Sequence, residues 1–425
     1  MSTAEAHVVP ILGTMTFGAE GQIKPDAVAQ ILRSYVGAGC AKTSGGALID
    51  TARIYQHATP DGDTEATLGG VFGMFPSLES RVSIASKAHP AIEPHKSLSK
   101  QSVIDQCNTS LEKLGVDCID LYYLHSPDIM TDIDETLSGI EELHREGKIK
   151  EFGLSNYPAW AVVDIWHRCK SRGMLPPTVY QGMYNVITRD IEREIVPVAR
   201  EFGLRLYMYN PLAGGLLSGK YSKLEDITSA SEGRFSDEFD RAFGHSMKAG
   251  TIGYRNRYGK ETIMEGLGIL TKACAPNITD NIADGSAPKV IQDTVSTIEG
   301  RKVRVIVSET SPSHSEKGLN MANIALRWLI HHSCLDASYG DGIILGVSKI
   351  EHLVANLSAW QAGPLPDELV EACNAAWSVA RVSCEGYFRG YGKEPGGIDG
   401  FLSLKARRRE QQEEKEEGTA KKLKS

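Results

Sequence analysis

The chain has 425 residues, 41% of them hydrophobic, and a formal net charge of −8. That supplies apolar material for a large core, but no run reaches the roughly 18 residues of a membrane span, so no membrane partner is expected. The negative balance argues against a nucleic-acid surface. The eight cysteines include no Cys-x-x-Cys pair, and the twelve histidines show no His-Glu-x-x-His or similar spacing. Free thiols and no metal are therefore expected. Residues 1–10 show neither a basic nor an apolar leader segment, which makes the cytoplasm the expected compartment.

In chain order, strand-like runs fall at Val8–Met15, Ala47–Thr51, Val82–Lys87, Ile119–His125, Glu151–Ser155, Thr178–Tyr184, Arg205–Tyr209 and Gly342–Val347. Amphipathic stretches lie between them at Pro25–Val36, Ser99–Leu114, Ile133–Arg145, Ala159–Ser171, Arg189–Phe202 and Met321–His332. Gly115, Gly147, Gly173 and Gly203 stand where helices should stop. Strand and helix alternating about eight times implies parallel pairing and a (β/α)8 TIM barrel. A doubly wound dinucleotide fold would place Gly-x-Gly-x-x-Gly after its first strand. Here that strand leads into Gly13-Thr14-Met15-Thr16-Phe17-Gly18, which lacks the spacing.

Two stretches break the alternation. Residues Ser222–Lys260 read as a long polar loop, and Ala275–Ser315 holds one strand-like run, Lys302–Val307, with no pattern that fits a barrel. The barrel is expected over residues 1–392. A charged tail over 393–425, with eight basic and five acidic residues from Lys405 to Ser425, is expected to stay disordered.

Reactive groups in such a barrel sit at the carboxyl ends of strands. Asp50 ends Ala-Leu-Ile-Asp, Tyr55 follows in the loop, Lys87 ends Ser-Ile-Ala-Ser-Lys, and His125 ends Leu-Tyr-Tyr-Leu-His. Singly, each has a structural explanation: a turn cap, a snorkelling ammonium, a core imidazole. Together they suit carbonyl reduction, with Tyr55 as proton donor. An ammonium about 4 Å from the phenol contributes on the order of 4 kcal/mol at an effective dielectric of 20, enough to lower its pKa by as much as about three before desolvation opposes it. Asp50 would keep Lys87 charged, and a neutral His125 would orient the substrate carbonyl.

This constellation resembles the catalytic tetrad of the aldo-keto reductase superfamily, and the chain is most similar to its aflatoxin-aldehyde reductase branch. The likeness is carried by Ile11–Met15, Ile49–Tyr55, Tyr123–Asp128, Gly153–Tyr157, Val179–Asn185, Tyr209–Leu217, Tyr254–Arg257, Ala325–Trp328 and Tyr387–Arg389. It implies NADPH/NADP+ as cofactor and a small carbonyl compound as substrate, and a homodimer is compatible with it. Ser155, Asn156 and Gln181 resemble the residues that bind the nicotinamide carboxamide, and Tyr209 the ring beneath the nicotinamide. Asn210, Pro211, Leu212, Gly214, Gly215, Leu216, Ser218 and Lys220 resemble the loop along the pyrophosphate, where a Gly-Gly pair would let backbone amides approach closely. Arg234, Ser348, Lys349, His352 and Asn356 resemble the site for the adenosine 2′-phosphate and adenine, which favours NADPH over NADH. Arg257 and Arg389, with His125, would line the substrate mouth and favour semialdehydes, dialdehydes or dicarbonyls; the alternative is that one or both arginines lie on the surface.

The chain departs from the family pattern at Ala275–Ser315, as a surface insertion or a gene-model error, at a smaller irregularity over Lys42–Gly46, and beyond Gly392. Two other readings stand beside the enzyme. One is a cofactor-binding regulatory subunit like the potassium-channel β-subunits. The other is a metal-dependent sugar isomerase, against which the lack of clustered Asp, Glu and His at strand ends speaks.

Overall fold

A computed structural model describes residues 8–18, 23–38, 46–55, 63–92, 94–95, 97–231, 233–237, 253–278, 292–298, 301–307 and 319–389. The expected tail and most of Lys42–Gly46 lie outside these residues.

Eight strands, β1 (Val9–Gly13), β2 (Ala47–Asp50), β3 (Val82–Ala88), β4 (Ile119–Leu124), β5 (Ile149–Ser155), β6 (Val179–Met183), β7 (Arg205–Tyr209) and β8 (Gly342–Gly346), close into a barrel in the order β1-β8-β7-β6-β5-β4-β3-β2. Every pairing in the barrel is parallel. The expected barrel is therefore present, each strand within a residue or two of its predicted range. The helices are α1 (Pro25–Gly37), α2 (Thr64–Met74), α3 (Lys100–Leu114), α4 (Ile133–Arg145), α5 (Ala159–Ser171), α6 (Ile195–Phe202), α7 (Glu261–Ile278), α8 (Met321–His331), α9 (Ile350–Gln361) and α10 (Asp367–Ala380), with a short turn of helix at Pro76–Glu79.

The local rules of helix formation account for most ends. Ser99 caps α3 by accepting from Ser102 N–H, and Asp132 caps α4 through Asp134 N–H. α4 buries Thr136, Leu137, Ile140 and Leu143, a stripe of helical period that packs on the barrel. The glycine at position 115 leaves α3 with φ of 70°, a left-handed turn that costs a side-chain-bearing residue energy. α1 is pinned by Tyr35, whose hydroxyl lies 2.8 Å from Pro10 O and 2.9 Å from Leu48 O.

Three expectations change. The stretch Arg189–Phe202 is not one helix: a 3-10 turn at Asp190–Arg193 is separated from α6 by Glu194, whose φ/ψ of −126°/−52° breaks the ladder. The polar stretch 222–260 contains short helices at Leu224–Thr228, Gly233–Phe235 and Tyr254–Tyr258, too brief to show a hydrophobic period in sequence. The run near 302–307 pairs as Arg301–Val307 with Gln292–Ile298 in an antiparallel hairpin outside the barrel sheet. Its partner strand is half polar, which hid it.

At the start of β8, Asp341 is fully buried and accepts from Arg200 at 2.5 Å and from Leu206 N–H at 2.8 Å. Its own carbonyl accepts from Val9 N–H, so one residue joins the entries of β1, β7 and β8. Removing Asp341 leaves the buried Leu206 N–H without its acceptor and takes the carboxylate from the partly exposed Arg200. Asp341→Ala should therefore lose about 1–3 kcal/mol by chemical denaturation. An unchanged midpoint would refute that role.

Candidate active site

Strand alternation builds the site. The barrel interior is filled by Ile11, Leu48, Ala85, Leu121, Tyr123, Val179, Tyr207 and Ile344. Side chains two residues further along a strand share that face. Two steps beyond Leu48, Ala85, Tyr123, Val179 and Tyr207 come Asp50, Lys87, His125, Gln181 and Tyr209. The apolar plug thus serves as a floor, and the polar groups ring its carboxyl end.

Lys87 is fully buried, with Nζ 2.6 Å from Asp50 Oδ1 and 2.7 Å from Thr51 O. Asp50 Oδ2 accepts from Gln181 Nε2 at 2.7 Å, so the ion pair is tied across the barrel. The Lys87 nitrogen lies 5.3 Å from the centre of the Tyr55 ring. Tyr55 meets the His125 ring edge-on at 5.8 Å. The four expected catalytic residues are brought together.

Their protonation differs from the simplest expectation in one respect. Burial, and then the Asp50 carboxylate, push the Tyr55 phenol well above the ordinary tyrosine value. The ammonium of Lys87, already met by Asp50 at 2.6 Å, does not offset this rise as expected from charge alone. Burial pulls Lys87 below its usual value against the opposing effect of Asp50. Desolvation, His89, Lys87 and Arg389 hold His125 well below the ordinary range, so its ring is neutral, and its buried Nδ1 has no hydrogen-bond partner among the described residues.

The residues expected to face the nicotinamide form one network. Asn156 adopts a left-handed φ of 63° and donates from Nδ2 to His125 O at 2.9 Å and Ser155 Oγ at 3.0 Å. Its Oδ1 accepts from Tyr209 OH at 2.7 Å, and Arg389 donates to the same hydroxyl at 2.9 Å. Arg389 N–H also bonds Asn156 O, which fixes the end of the described chain over this wall.

In the loop after β7, Asn210, Ala213, Gly214, Gly215 and Gly219 all have positive φ. Pro211 and Leu216 are buried beneath it and Leu212 partly so, while Ser218 and Lys220 are exposed. The N–H groups of Gly214 and Gly215 are committed inside the loop, to Asn210 Oδ1 and Leu212 O. Their contribution to close approach is the missing side chain rather than free donors: a Cβ on Gly214 would sit 2.4 Å from the Tyr254 ring, and one on Gly215 would point into open space. Arg234 donates to Tyr254 OH at 2.6 Å and lies beside Gly346 at the end of β8. Ser348 and Lys349 follow one residue later, after the buried Val347, and are exposed; Ser348 Oγ is 3.1 Å from His352 Nδ1, and Asn356 is buried in α9. Arg234 and the segment 348–356 therefore meet at one strand end, although 114 positions separate Arg234 from Ser348.

Arg257 is buried, with 7% exposure and its Nε unpartnered among the described residues, so it is not a surface arginine. Arg389 is half-buried over the Tyr209 ring, at 5.8 Å. No group of three or more His, Cys, Asp and Glu among the described residues is arranged to hold a metal, and no described helix is long and apolar enough to cross a membrane.

Sequence reasoning missed several neighbours. His89, two steps beyond Lys87 on the same alternation, packs edge-on against His125 at 5.2 Å; that spacing was the available signal. Tyr254 lies against both Arg234 and Arg257. Burial pushes its phenol up, but Arg234, Arg257 and Arg389 outweigh it and leave it below the ordinary tyrosine value. Tyr258 receives Asn210 Nδ2 at 2.7 Å and so sets the loop after β7.

Burial, reinforced by Arg389, lowers the His89 pKa to about 3. Between that value and an unfolded value of about 6.5, only the unfolded chain binds this proton. The stability is complete above about 6.5 and is lost as pH falls toward 3. Thermal melts at pH 7.5 and 5 should show a smaller acid loss for His89→Asn than for the unaltered chain. Equal losses would contradict a buried neutral imidazole.

The Aldo/keto reductase family model matches residues 11–378. The aflatoxin B1 aldehyde reductase member 2 of Rattus norvegicus is 40% identical over 379 residues, covering 89% of this chain and 87% of its own. Its Homo sapiens namesake is 39% identical, covering 90% of each chain. Human aldo-keto reductase family 7 member A3 is 37% identical over 91% of this chain and 98% of its own.

Proposed function

This chain belongs to the aldo/keto reductase family, and on that premise we propose that it is an NADPH-dependent aldehyde reductase with Tyr55 as proton donor. The observation that carries the reading is the buried Lys87–Asp50 pair beside the Tyr55 ring. When bound, NADPH would supply a hydride to the carbonyl carbon. Tyr55 gives its proton to the carbonyl oxygen and later recovers one from solvent, so the product is the alcohol. A phenol held above its ordinary pKa keeps that proton at neutral and mildly alkaline pH. The neutral His125 ring can donate a hydrogen bond to the carbonyl oxygen without competing for the proton.

The residues fit the cofactor. A loop with side chains removed at Gly214 and Gly215, the exposed Lys220, the guanidinium of Arg234, and the exposed hydroxyl and ammonium of Ser348 and Lys349 suit a pyrophosphate and a 2′-phosphate. Ser155, Asn156 and Gln181 would hold the carboxamide, Tyr209 the ring face, and His352 and Asn356 the adenine side. The buried Nε of Arg257, unpartnered among the described residues, and the poised Arg389 favour aldehydes that carry a carboxylate or second carbonyl. The names of the aflatoxin B1 aldehyde reductases support an aldehyde substrate.

Steady NADPH oxidation with a semialdehyde or aromatic aldehyde tests the reading. Tyr55→Phe and Lys87→Met should each lower kcat by at least about 100-fold while NADPH still quenches protein fluorescence. Turnover surviving in either variant removes that residue from the chemistry. The unaltered enzyme's reduction rate should stay level from neutral pH to about 9 and fall only above the ordinary phenol range near 10; a fall centred near 7 would contradict the raised Tyr55 pKa. Arg234→Ala should weaken NADPH by about 10- to 100-fold and NADH far less, the value of a charge-assisted contact. Equal losses for both cofactors would remove Arg234 from the 2′-phosphate site.

A further inference from the structure

Behind the barrel wall that carries Tyr55 and Lys87 lies a buried knot of charges joined to both residues through the backbone. Arg53, two residues before Tyr55, places its guanidinium 3.1 Å from Asp63 and 3.6 Å from Glu65. All three side chains are at least nine-tenths buried. Asp63 caps α2 through Glu65 N–H and Ala66 N–H and also pairs with Lys113 of α3. Between the two acids, Thr64 donates its hydroxyl to Tyr55 O at 2.9 Å and its N–H to the same oxygen at 3.3 Å. The first turn of α2 is thus a socket that receives the Tyr55 carbonyl and the Arg53 side chain together.

Glu65 extends the socket to the next strand. Its carboxylate accepts from Ser86 Oγ at 2.6 Å and Ser110 Oγ at 3.1 Å. Ser86 immediately precedes Lys87, and alternation turns it to the helix side as Lys87 turns inward. The backbone closes the circuit, with Arg53 N–H bonded to Lys87 O at 3.2 Å. One carboxylate therefore steadies the strand bearing the ammonium and, through Arg53, the loop bearing the phenol.

From this geometry we infer that Arg53, held by Asp63 and Glu65, is a positioning residue that sets Tyr55 against Lys87. It acts behind the site and contacts no substrate. Among the described residues Asp63 and Glu65 both pair with Arg53, so its loss loosens the 52–55 loop and takes a cation from the buried Glu65 carboxylate. Misplacement of a reacting group by about 1 Å costs on the order of 100-fold in rate, whereas cofactor binding on the opposite side of the ring should be insensitive.

The inference rests on Tyr55 being the proton donor, and the experiment separates the two. In single-turnover NADPH oxidation with an aromatic aldehyde, Arg53→Met should slow the chemical step ~10- to 100-fold, with NADPH Kd within about twofold. The solvent deuterium isotope effect should rise, because proton delivery has become the harder step. Glu65→Gln, which removes the charge and lets one serine donate to the amide oxygen while the other turns to accept from its NH2, should show the same signature more weakly. Arg53→Lys should recover part of the rate. The inference is overturned if both variants react at the unaltered rate, if rate and NADPH affinity fall together, or if neither variant folds, which would assign the knot to stability alone. Absence of reduction by the unaltered chain would instead sink the proton-donor reading and this inference with it.

Discussion

An ammonium with no solvent exposure persists inside a protein only where its charge is met, since stranding it costs several kcal/mol. Lys87 is in that position, and Asp50 and the Thr51 carbonyl meet it. The second Asp50 oxygen is taken by Gln181, which locks β2, β3 and β6 at the same level. Much of the rest of the site follows from this dry pair. The lysine charge is met within the pair, so burial and then the Asp50 carboxylate govern Tyr55, and the phenol keeps its proton. The pair also lies near His125, whose ring stays uncharged beside it.

A barrel solves the problem of bringing such groups together with little sequence information. The interior residues of the strands fill the lower layer, and the next inward position on each strand opens onto the mouth. Asp50, Lys87, His125, Gln181 and Tyr209 need only end their strands in the same phase. The supports are less regular. The segment after α10 is held by Lys260 to Glu385 and Ser383, and by Ala159 N–H to Tyr387 OH. That anchoring places Arg389 on Tyr209, so Arg389 and Asn156 share the Tyr209 hydroxyl.

This division explains what could be read from the sequence. The strands were legible because short apolar runs such as Ile11–Leu12 and Ile343–Leu345 recur between glycine-stopped helices, and Asp50, Lys87 and His125 stand at their ends. Tyr55 and the loop after β7 were legible through the resemblance. The Arg53–Glu65 knot was not: its members are spread over Arg53, Asp63, Glu65, Ser86, Ser110 and Lys113, and only the packing of α2 and α3 on β3 unites them. The raised Tyr55 pKa was hidden for a related reason, since a lysine's effect depends on who already neutralises it. The hairpin at 292–307 escaped because Gln292–Ile298 is too polar to read as a strand alone.

The central claim is that the Asp50 charge keeps Lys87 and Tyr55 working as a unit. Asp50→Asn is nearly isosteric and can still accept from Lys87, but it withdraws the counter-charge. Single-turnover reduction of an aldehyde by this variant, with NADPH binding measured on the same sample, tests the claim most directly. The account predicts a loss on the order of 100-fold or more in rate with the cofactor still bound. Reduction at the unaltered rate in a folded, NADPH-binding Asp50→Asn protein would contradict it.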